Sequence, residues 1–435
     1  METLFRFATA GSVDDGKSTL VGRLLHDSKA ILADQLESVM RTSTERRFGG
    51  AAGGIDFALL TDGLRAEREQ GITIDVAYRY FATGQRSFIL ADCPGHVQYT
   101  RNMVTGATTA DAIVMVIDVR HGLLEQTRRH LAVAHLLRVP HVIVAVNKID
   151  LVDWSHDVFE RVAAEVQVFS DELGLDAHVI PLSALLGDNV VERSVRMPWY
   201  SGPSLLELLE SLPSTSEVDS VFRMPVQLVI RPQGNDERRD YRGFAGRISS
   251  GSVRVGDAVS VAPGNHSTVV TGIDVGGHAV QHAVAPQSVA LSLADSVDAA
   301  RGAIIAARGT LPEPVTEFTA SLFWLDLRPL KRGDRVLVKW ATTTLQAKVS
   351  EILGSQNLDT LNLEPADTLE VNDIGVARIR LSSALPLEPF DTDRAGGSFL
   401  IIHPVDGATL AAGIVTVSAL PLRLSVSALS EQEAS

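Results

Sequence analysis

One octapeptide near the N-terminus, GSVDDGKS (11–18), constrains the fold of this 435-residue chain more than any other feature. It matches the pattern G-x-x-x-x-G-K-[ST] and lies between an apolar run, LFRFATA (4–10), and an amphipathic run, STLVGRLLHD (18–27). A glycine-rich turn between a buried strand and a helix presents backbone N–H groups at the positive end of the helix, where they can bind phosphate. The sequence therefore predicts an α/β domain with a phosphate-binding loop.

Strand-like and helix-like runs alternate through the first half of the chain. Further apolar runs predict strands at 74–81, 86–91, 112–118, 141–147 and 178–182. Helical periodicity predicts helices over 126–138 and 156–174, and Gly174 is suited to the left-handed C-cap of the second. Such alternation predicts a mostly parallel sheet with helices on both faces.

The pattern changes after the Pro- and Ser-containing segment SLPSTSEVDS (211–220). From Phe222 onward, short β-rich runs alternate with turn residues, and a similar stretch extends from about Thr316 to Leu422. Short strands at this spacing are typical of β-barrels or sandwiches. The expected division is an α/β domain over 1–213, β-barrel domains over 220–310 and 314–424, and a tail over 425–435.

Composition points to a soluble chain in a reducing compartment. Cys93 is the only cysteine, which excludes an internal disulfide, and the first ten residues lack the basic region and apolar core of a signal peptide. The apolar runs are too short to span a membrane. The net charge of −14 disfavours a surface devoted to the nucleic-acid backbone. We expect a cytoplasmic protein without a membrane partner.

Two groups of residues would bind phosphate and Mg²⁺. Lys17 would reach the outer phosphates of a nucleotide, and the hydroxyl of Ser18 would bind Mg²⁺. Asp92, at the end of the strand 86–91, could reach the same ion directly or through water, and Gly95 could offer its N–H to a γ-phosphate. The acidic side chains in the loop need not face phosphate, because the backbone forms the cradle; one could serve a cation or a switch segment.

A third group would select the base. Asn147, Lys148 and Asp150 follow the apolar strand 141–147. A carboxylate at Asp150 can accept hydrogen bonds from N1–H and the 2-amino group of guanine, whereas adenine has neither donor, and such differences can discriminate by about 10⁴-fold. The tripeptide 183–185 would supply a backbone N–H for the guanine carbonyl.

The motifs follow one order along the chain: GSVDDGKS (11–18), GITID (71–75), DCPGH (92–96), NKID (147–150) and SAL (183–185). This set resembles the translation-factor class of GTPases, the group of elongation factor Tu. The resemblance implies an α/β P-loop GTPase domain followed by two β-barrel domains. It also implies that Thr73 ligates Mg²⁺ when GTP is bound, that His96 orients the attacking water, and that Val13 and Ile72 form an apolar gate.

Within that class the chain is similar to the large, GTP-hydrolysing subunit of bacterial sulfate adenylyltransferase. The similarity rests on 61–81, QTRRH (126–130), GDNV (187–190) and PWYSGPSLLE (198–207), and on Ser12 and Asp15, where translation factors would have histidines. It implies that GTP hydrolysis is coupled to the synthesis of adenosine 5′-phosphosulfate and pyrophosphate from ATP and sulfate. The adenylyl transfer would occur on a small ATP-binding catalytic subunit, in a heterodimer or larger assembly.

The sequence leaves one alternative, a translation-factor-like GTPase that binds aminoacyl-tRNA or the ribosome, to which the arginines of DERRDYRG (236–243) could contribute. Four further histidines of the first half are expected to be structural: His121, His130, His135 and His141. The expected cofactors are GTP and Mg²⁺. The expected catalytic residues are His96, Thr73 and Lys17, and the expected metal ligands are Ser18, Thr73 and Asp92. The expected GTP-binding residues are Gly11, Ser12, Val13, Asp14, Asp15, Gly16, Lys17, Ser18, Thr19, Asp92, Gly95, Asn147, Lys148, Asp150, Ser183, Ala184 and Leu185.

Overall fold

The computed structural model describes residues 3–29, 43, 55–60, 76–94, 100–214, 220–231, 241–264, 266–357, 360 and 362–416. The chain divides into two compact units. The first comprises Met1–Thr215 with Leu358–Leu361, and the second comprises Ser216–Asn357 with Asn362–Ser435. The predicted tail at 425–435 lies outside the described residues.

The first unit is built on a six-stranded sheet with the order β2-β3-β1-β4-β5-β6. Its strands are β1 (Thr3–Gly11), β2 (Ala77–Ala82), β3 (Arg86–Asp92), β4 (Ala112–Asp118), β5 (His141–Asn147) and β6 (Ala177–Pro181). All neighbours pair in parallel except β2 and β3, which are antiparallel. The mostly parallel sheet is confirmed. The exception arises because only residues 83–85 connect β2 to β3, too few for the crossover that a parallel pair requires.

The helices of the first unit are α1 (Lys17–Asp27), α2 (Thr100–Ala107), α3 (Glu125–Leu136), α4 (His156–Leu173) and α5 (Leu205–Ser211), with short 3₁₀ turns at Phe57–Leu60 and Ile149–Val152. In α4, the hydroxyl of Ser155 accepts the N–H of Val158, and the C-cap Gly174 has φ 70°. The predicted glycine cap is therefore confirmed. None of the helices in the described ranges is long and apolar enough to cross a membrane.

Parallel pairing brings the carboxyl ends of four strands to one edge of the sheet. In the register, Thr9 stands opposite Asp92, Gly11 opposite Val116, and Asp118 opposite Asn147. The strands β4 and β5 are buried almost throughout, so their polar ends are fixed by the core beneath them. In parallel α/β sheets, ligands bind outside this edge.

The second unit contains two closed sheets. The first is formed within β7 (Arg223–Ile230), β8 (Gly243–Arg247), β9 (Ser252–Arg254), β10 (Ala258–Ala262), β11 (His266–Val275), β12 (His278–Val280), β13 (His282–Val284), β14 (Ser288–Leu293) and β15 (Ile304–Ala307). Its strands run β10-β15-β7-β8-β14-β11, and pairing of β10 with β11 closes a six-stranded barrel.

The second barrel is formed within β16 (Val315–Trp324), β17 (Leu330–Lys331), β18 (Arg335–Trp340), β19 (Thr343–Gln356), β20 (Leu363–Glu364), β21 (Thr368–Leu369), β22 (Ile374–Leu385), β23 (Ser398–Ile402) and β24 (Thr409–Thr416). It runs β18-β23-β24-β16-β22-β19 and closes through β18 and β19. The predicted fold of an α/β domain followed by two β-barrels is confirmed. We retain 1–213, 220–310 and 314–424 as proposed domain boundaries.

A buried ion pair links the two barrels. Arg223 of β7 donates to Glu388, which follows β22, with Nε and Nη2 at 3.0 and 2.5 Å from Oε1. The same guanidinium donates to the carbonyl and hydroxyl oxygens of Thr310, in the segment between the barrels. Both charged side chains are about nine-tenths buried, with 9% and 10% exposed.

Candidate functional site

The loop between β1 and α1 requires glycine where it approaches the neighbouring strand end. Gly16 precedes α1 with φ 94°, in the left-handed region, and a Cβ there would collide with the side-chain amide of Asn147. The helix begins at Lys17 without a side-chain cap. The first amides of a helix have no intrahelical acceptor, so this end of α1 is suited to bind an anion.

Lys17 is buried within the loop. Its Nζ donates to the carbonyl oxygens of Gly11 and Ser12, at 3.0 and 2.6 Å. Burial lowers the pKa of Lys17, and the carboxylates of Asp15 and Asp92 act in the opposite direction. The ammonium group is thus held at the loop by weak neutral acceptors, which a phosphate oxygen could replace.

Asp15 is bound to the loop itself. Its Oδ2 accepts the N–H of Ser12 at 2.8 Å, and burial raises the pKa of this carboxyl. The hydroxyl of Ser12 lies 3.4 Å from Oγ1 of Thr127 on α3. These contacts give Asp15 a definite position inside the loop, and they connect the loop to the helix beneath it.

Asp92 lies at the end of β3, almost fully buried. Its Oδ1 accepts the hydroxyl proton of Thr9 at 2.7 Å. Among the described residues, no three His, Cys, Asp or Glu side chains are grouped as a metal cluster. The other predicted residues of this region, Thr73, Gly95 and His96, lie outside the described residues, as does Ile72.

Asn147 joins the three predicted motifs. Its Nδ2 donates to the carbonyl of Asp15 at 2.8 Å, and its Oδ1 accepts the N–H of Ala184 at 2.9 Å. Lys148 follows with φ 62° and donates to the carbonyl oxygen of Asp14. The structure therefore brings together the phosphate loop, the 147–150 segment and the 183–185 segment, which lie far apart in the sequence.

Asp150 lies in the 3₁₀ turn that follows, partly exposed. Within the part of the chain that the structure describes, its carboxylate forms no hydrogen bond or ion pair. By contrast, the side chains of Lys17, Asn147 and Lys148 are all engaged with the protein. As far as the described ranges extend, both oxygens of Asp150 can thus accept hydrogen bonds from a ligand.

Asp118, at the end of β4, is a site residue that sequence reasoning missed. Its carboxylate lies 2.6 Å from Nη2 of Arg120 and 2.9 Å from Nζ of Lys148. Burial alone would raise the pKa of Asp118, but hydrogen bonds from Arg120 and Lys148 outweigh it and hold the pKa well below its usual value. The signal was present, because an acidic residue ends an apolar parallel strand, as Asp92 does.

His130, on α3, is completely buried near Lys17. Burial lowers its pKa to about 3, so the imidazole is neutral at physiological pH. Its Nε2 lies 2.7 Å from the amide nitrogen of Gln126, and its Nδ1 has no hydrogen-bond partner in the described part of the chain. Within the described residues His130 belongs to no group of three metal-binding side chains, and its structural role stays a prediction.

This combination of fold and site defines a class. The model of the elongation factor Tu GTP-binding domain matches residues 2–216, and that of the GTP-eEF1A C-terminal domain-like family matches residues 317–416. The chain is a GTP-binding protein of the elongation factor Tu class.

Similarity over the full length specifies the family. The chain is 44% identical over 415 residues to sulfate adenylyltransferase subunit 1 of Aliarcobacter butzleri, covering 95% of this chain and 87% of the relative. It is 45% identical to the protein of that name from Chromobacterium violaceum, covering 99% and 90%. It is also 47% identical to the bifunctional enzyme CysN/CysC of Mycobacterium tuberculosis, covering 95% of this chain and 67% of that longer enzyme. The chain belongs to the sulfate adenylyltransferase subunit 1 family.

Proposed function

We propose that this chain hydrolyses GTP and that the hydrolysis drives adenosine 5′-phosphosulfate synthesis on a partner subunit. The partner would join ATP and sulfate and release pyrophosphate. The observation that carries the GTP-binding part is the carboxylate of Asp150, which forms no hydrogen bond or ion pair within the described residues and follows Asn147, whose contacts reach the phosphate loop and the 183–185 segment. The name of the relatives, subunit 1, supports the existence of a partner.

GTP would bind along the loop edge of the sheet. The backbone amides of 14–18 would receive the phosphates, with Thr19 continuing the first turn of α1, and Lys17 would exchange its two carbonyl acceptors for phosphate oxygens. Asp150 would accept the N1–H and 2-amino protons of guanine. The N–H of Ala184 already donates to Asn147, so Leu185 is the residue of the 183–185 segment whose N–H we assign to the guanine carbonyl.

The residues present suit Mg²⁺, because the donor set consists of oxygen atoms, which this cation prefers. Ser18, Thr73 and Asp92 would hold the ion, and Asp92 accepts a hydrogen bond from the neutral hydroxyl of Thr9. When bound, the ion would neutralise charge on the phosphate oxygens.

In the hydrolytic step, His96 would orient a water molecule for attack on the γ-phosphorus. The new P–O bond forms as the bond to the β–γ bridging oxygen breaks, which gives GDP and inorganic phosphate. This transfer depends on positioning and charge stabilisation more than on a strong base, which suits an imidazole. Val13 and Ile72 would gate its approach, and Thr73 would close over the nucleotide.

The test is GTP turnover by the purified chain, alone and with its small subunit, with and without ATP and sulfate. We expect turnover to rise only when partner, ATP and sulfate are all present. Lys17→Ala should abolish this turnover through loss of GTP binding, whereas Lys348→Ala, an exposed lysine on β19, should leave it unchanged. Turnover indifferent to ATP and sulfate, or tight binding of aminoacyl-tRNA, would contradict the coupling.

A further inference from the structure

One buried carboxylate lies between the two turns that carry the proposed base-binding groups. Oδ2 of Asp188 accepts the indole N–H of Trp154 at 3.0 Å, and Oδ1 accepts the hydroxyl proton of Ser194 at 2.6 Å. Arg196 Nη1 lies 3.3 Å from Oδ2. Only 10% of the Asp188 side chain is exposed, so water competes little for these bonds.

The backbone of Asp188 closes the turn that contains the 183–185 segment. The N–H of Ser183 donates to the carbonyl of Asp188 at 3.1 Å, and the N–H of Gly187 donates back to the carbonyl of Ser183 at 2.8 Å. Two bonds across so short a loop leave it little freedom. The position of Asp188 therefore determines the position of the segment between them.

Trp154 belongs to the other turn. Its N–H donates to the carbonyl of Ile149 at 3.0 Å, so it closes the 3₁₀ turn that carries Asp150. The residue has φ 51°, an uncommon conformation for a side chain of this size. The guanidinium of Arg196 lies 4.9 Å above its ring, and the indole N–H of Trp199 donates to its carbonyl at 3.0 Å.

A second side chain fixes the 183–185 segment from the side of α1. Arg23 donates from Nε to the carbonyl of Ala184 at 3.3 Å and from Nη2 to that of Leu185 at 2.7 Å. These bonds add to the direct one between Oδ1 of Asn147 and the N–H of Ala184, and the Asp188–Trp154 contact is a further side-chain link between this segment and the turn that carries Asp150.

We infer that Asp188 is a positioning residue for guanine recognition. It helps to set the distance between Asp150 and the 183–185 backbone, so that the N1–H and 2-amino groups of guanine and its carbonyl oxygen, which share one edge of the base, are bound at once; this role rests on the proposed binding of GTP at these residues. Hydrogen bonds weaken steeply with distance and angle. A small separation of the two turns would therefore reduce the benefit of each guanine-specific group.

The test compares the affinities of the single purified chain for GTP and inosine triphosphate, which lacks the 2-amino group. Asp188→Ala should weaken GTP binding about ten-fold and inosine triphosphate binding less, so that the preference for GTP shrinks. Trp154→Phe replaces the indole by a smaller aromatic ring without an N–H donor, which still leaves a ring beneath Arg196, and it should shift the ratio in the same direction. Asp176→Ala, at an exposed aspartate of the same unit, should leave the ratio unchanged.

The ratio of the affinities for GTP and inosine triphosphate separates positioning from simple structural support, because a loss of stability weakens the binding of both nucleotides equally. If the variants bind both nucleotides with the wild-type ratio, the positioning role is wrong. Should Asp188→Ala fail to fold, Trp154→Phe decides alone. A wild-type chain that does not bind GTP would refute the proposed function instead, before any variant is compared.

Discussion

At the scale of single residues, Asp150 offers the sharpest test of base selection. Its carboxylate forms no hydrogen bond or ion pair in the described part of the chain, so replacing it by an amide breaks no bond described there. Asp150→Asn should weaken GTP binding by about 100-fold or more and improve xanthosine triphosphate binding, because the 2-oxo group of xanthine accepts a hydrogen bond from an amide. Competition between the two nucleotides for a fluorescent analogue measures the change.

The matched control is Asp153→Asn, three residues further on. Asp153 is exposed and has φ 53°, a conformation that asparagine also tolerates. This variant should keep the wild-type selectivity. Retained GTP preference in Asp150→Asn would remove that residue from base recognition.

Residues were predictable from the sequence where local spacing alone defines their chemistry. Lys17, Asn147 and Asp150 belong to short motifs next to strands, and the structure places all three at one edge of the sheet. Besides nearby residues, Asp118 and Arg23 each contact a residue 30 or more positions away in the chain, Lys148 and Leu185 respectively. Sequence spacing does not predict such pairs, because they depend on the order of the strands in the sheet.

At the scale of elements, the C-terminal end of α4 allows the cost of a left-handed backbone conformation to be measured by itself. Gly174 has φ 70°, and nothing lies within 4 Å of an added Cβ. Gly174→Ala should therefore destabilise the first unit by about 1–2 kcal/mol through conformational strain alone. Urea unfolding would measure this. Gly174→Asn should cost less, since asparagine adopts this conformation more readily; equal costs for both variants would exclude strain as the cause.

The helix α3 should make stability depend on pH. Burial lowers the pKa of His130 to about 3 from a usual value of 6.5, with smaller effects of Lys17 and Arg129. Because the folded-state pKa is depressed, the unfolded chain binds a proton first as the pH falls. The contribution is present above about pH 6.5 and is lost progressively toward pH 3, by an amount on the order of several kcal/mol.

Urea unfolding at pH 7, 6, 5 and 4 would detect this loss. His130→Leu removes the titrating group and should flatten the pH dependence, even if its stability at pH 7 is lower. His178→Leu changes a partly exposed histidine of the same unit and should keep the wild-type slope. Parallel slopes in all three proteins would show that His130 does not cause the effect.

Elements were predictable to the extent that their periodicity is local. The strands 112–118 and 141–147 agree with β4 and β5 residue for residue, since each is a continuous apolar run bounded by polar residues. The long-range pairings within each barrel were not predictable in detail, because β10 also pairs with β15 and β18 with β23, strands that lie far along the chain. Several strands of the second half, including β11, β14, β15 and β24, were not identified individually.

At the scale of the whole molecule, the pair of Arg223 and Glu388 should control how firmly the barrels are held together. Removing one partner of a buried ion pair leaves an uncompensated charge and costs about 3–5 kcal/mol. Glu388→Ala should therefore speed hydrogen exchange in β7 and β16 without affecting β4 or β5. The double variant Arg223→Met/Glu388→Leu should restore most of the protection from hydrogen exchange. Equal exchange rates in Glu388→Ala and in the double variant would contradict the role of the pair.

Barrel closure also determines where another chain could add a strand. In the described part of the second unit, the six long strands of each barrel have both neighbours, and only the short β12 and β20 flank them. The sheet of the first unit, by contrast, ends in β2 and β6. Within the described residues, the longest strands with an open edge are therefore β2 and β6, of six and five residues, both in the nucleotide-binding half.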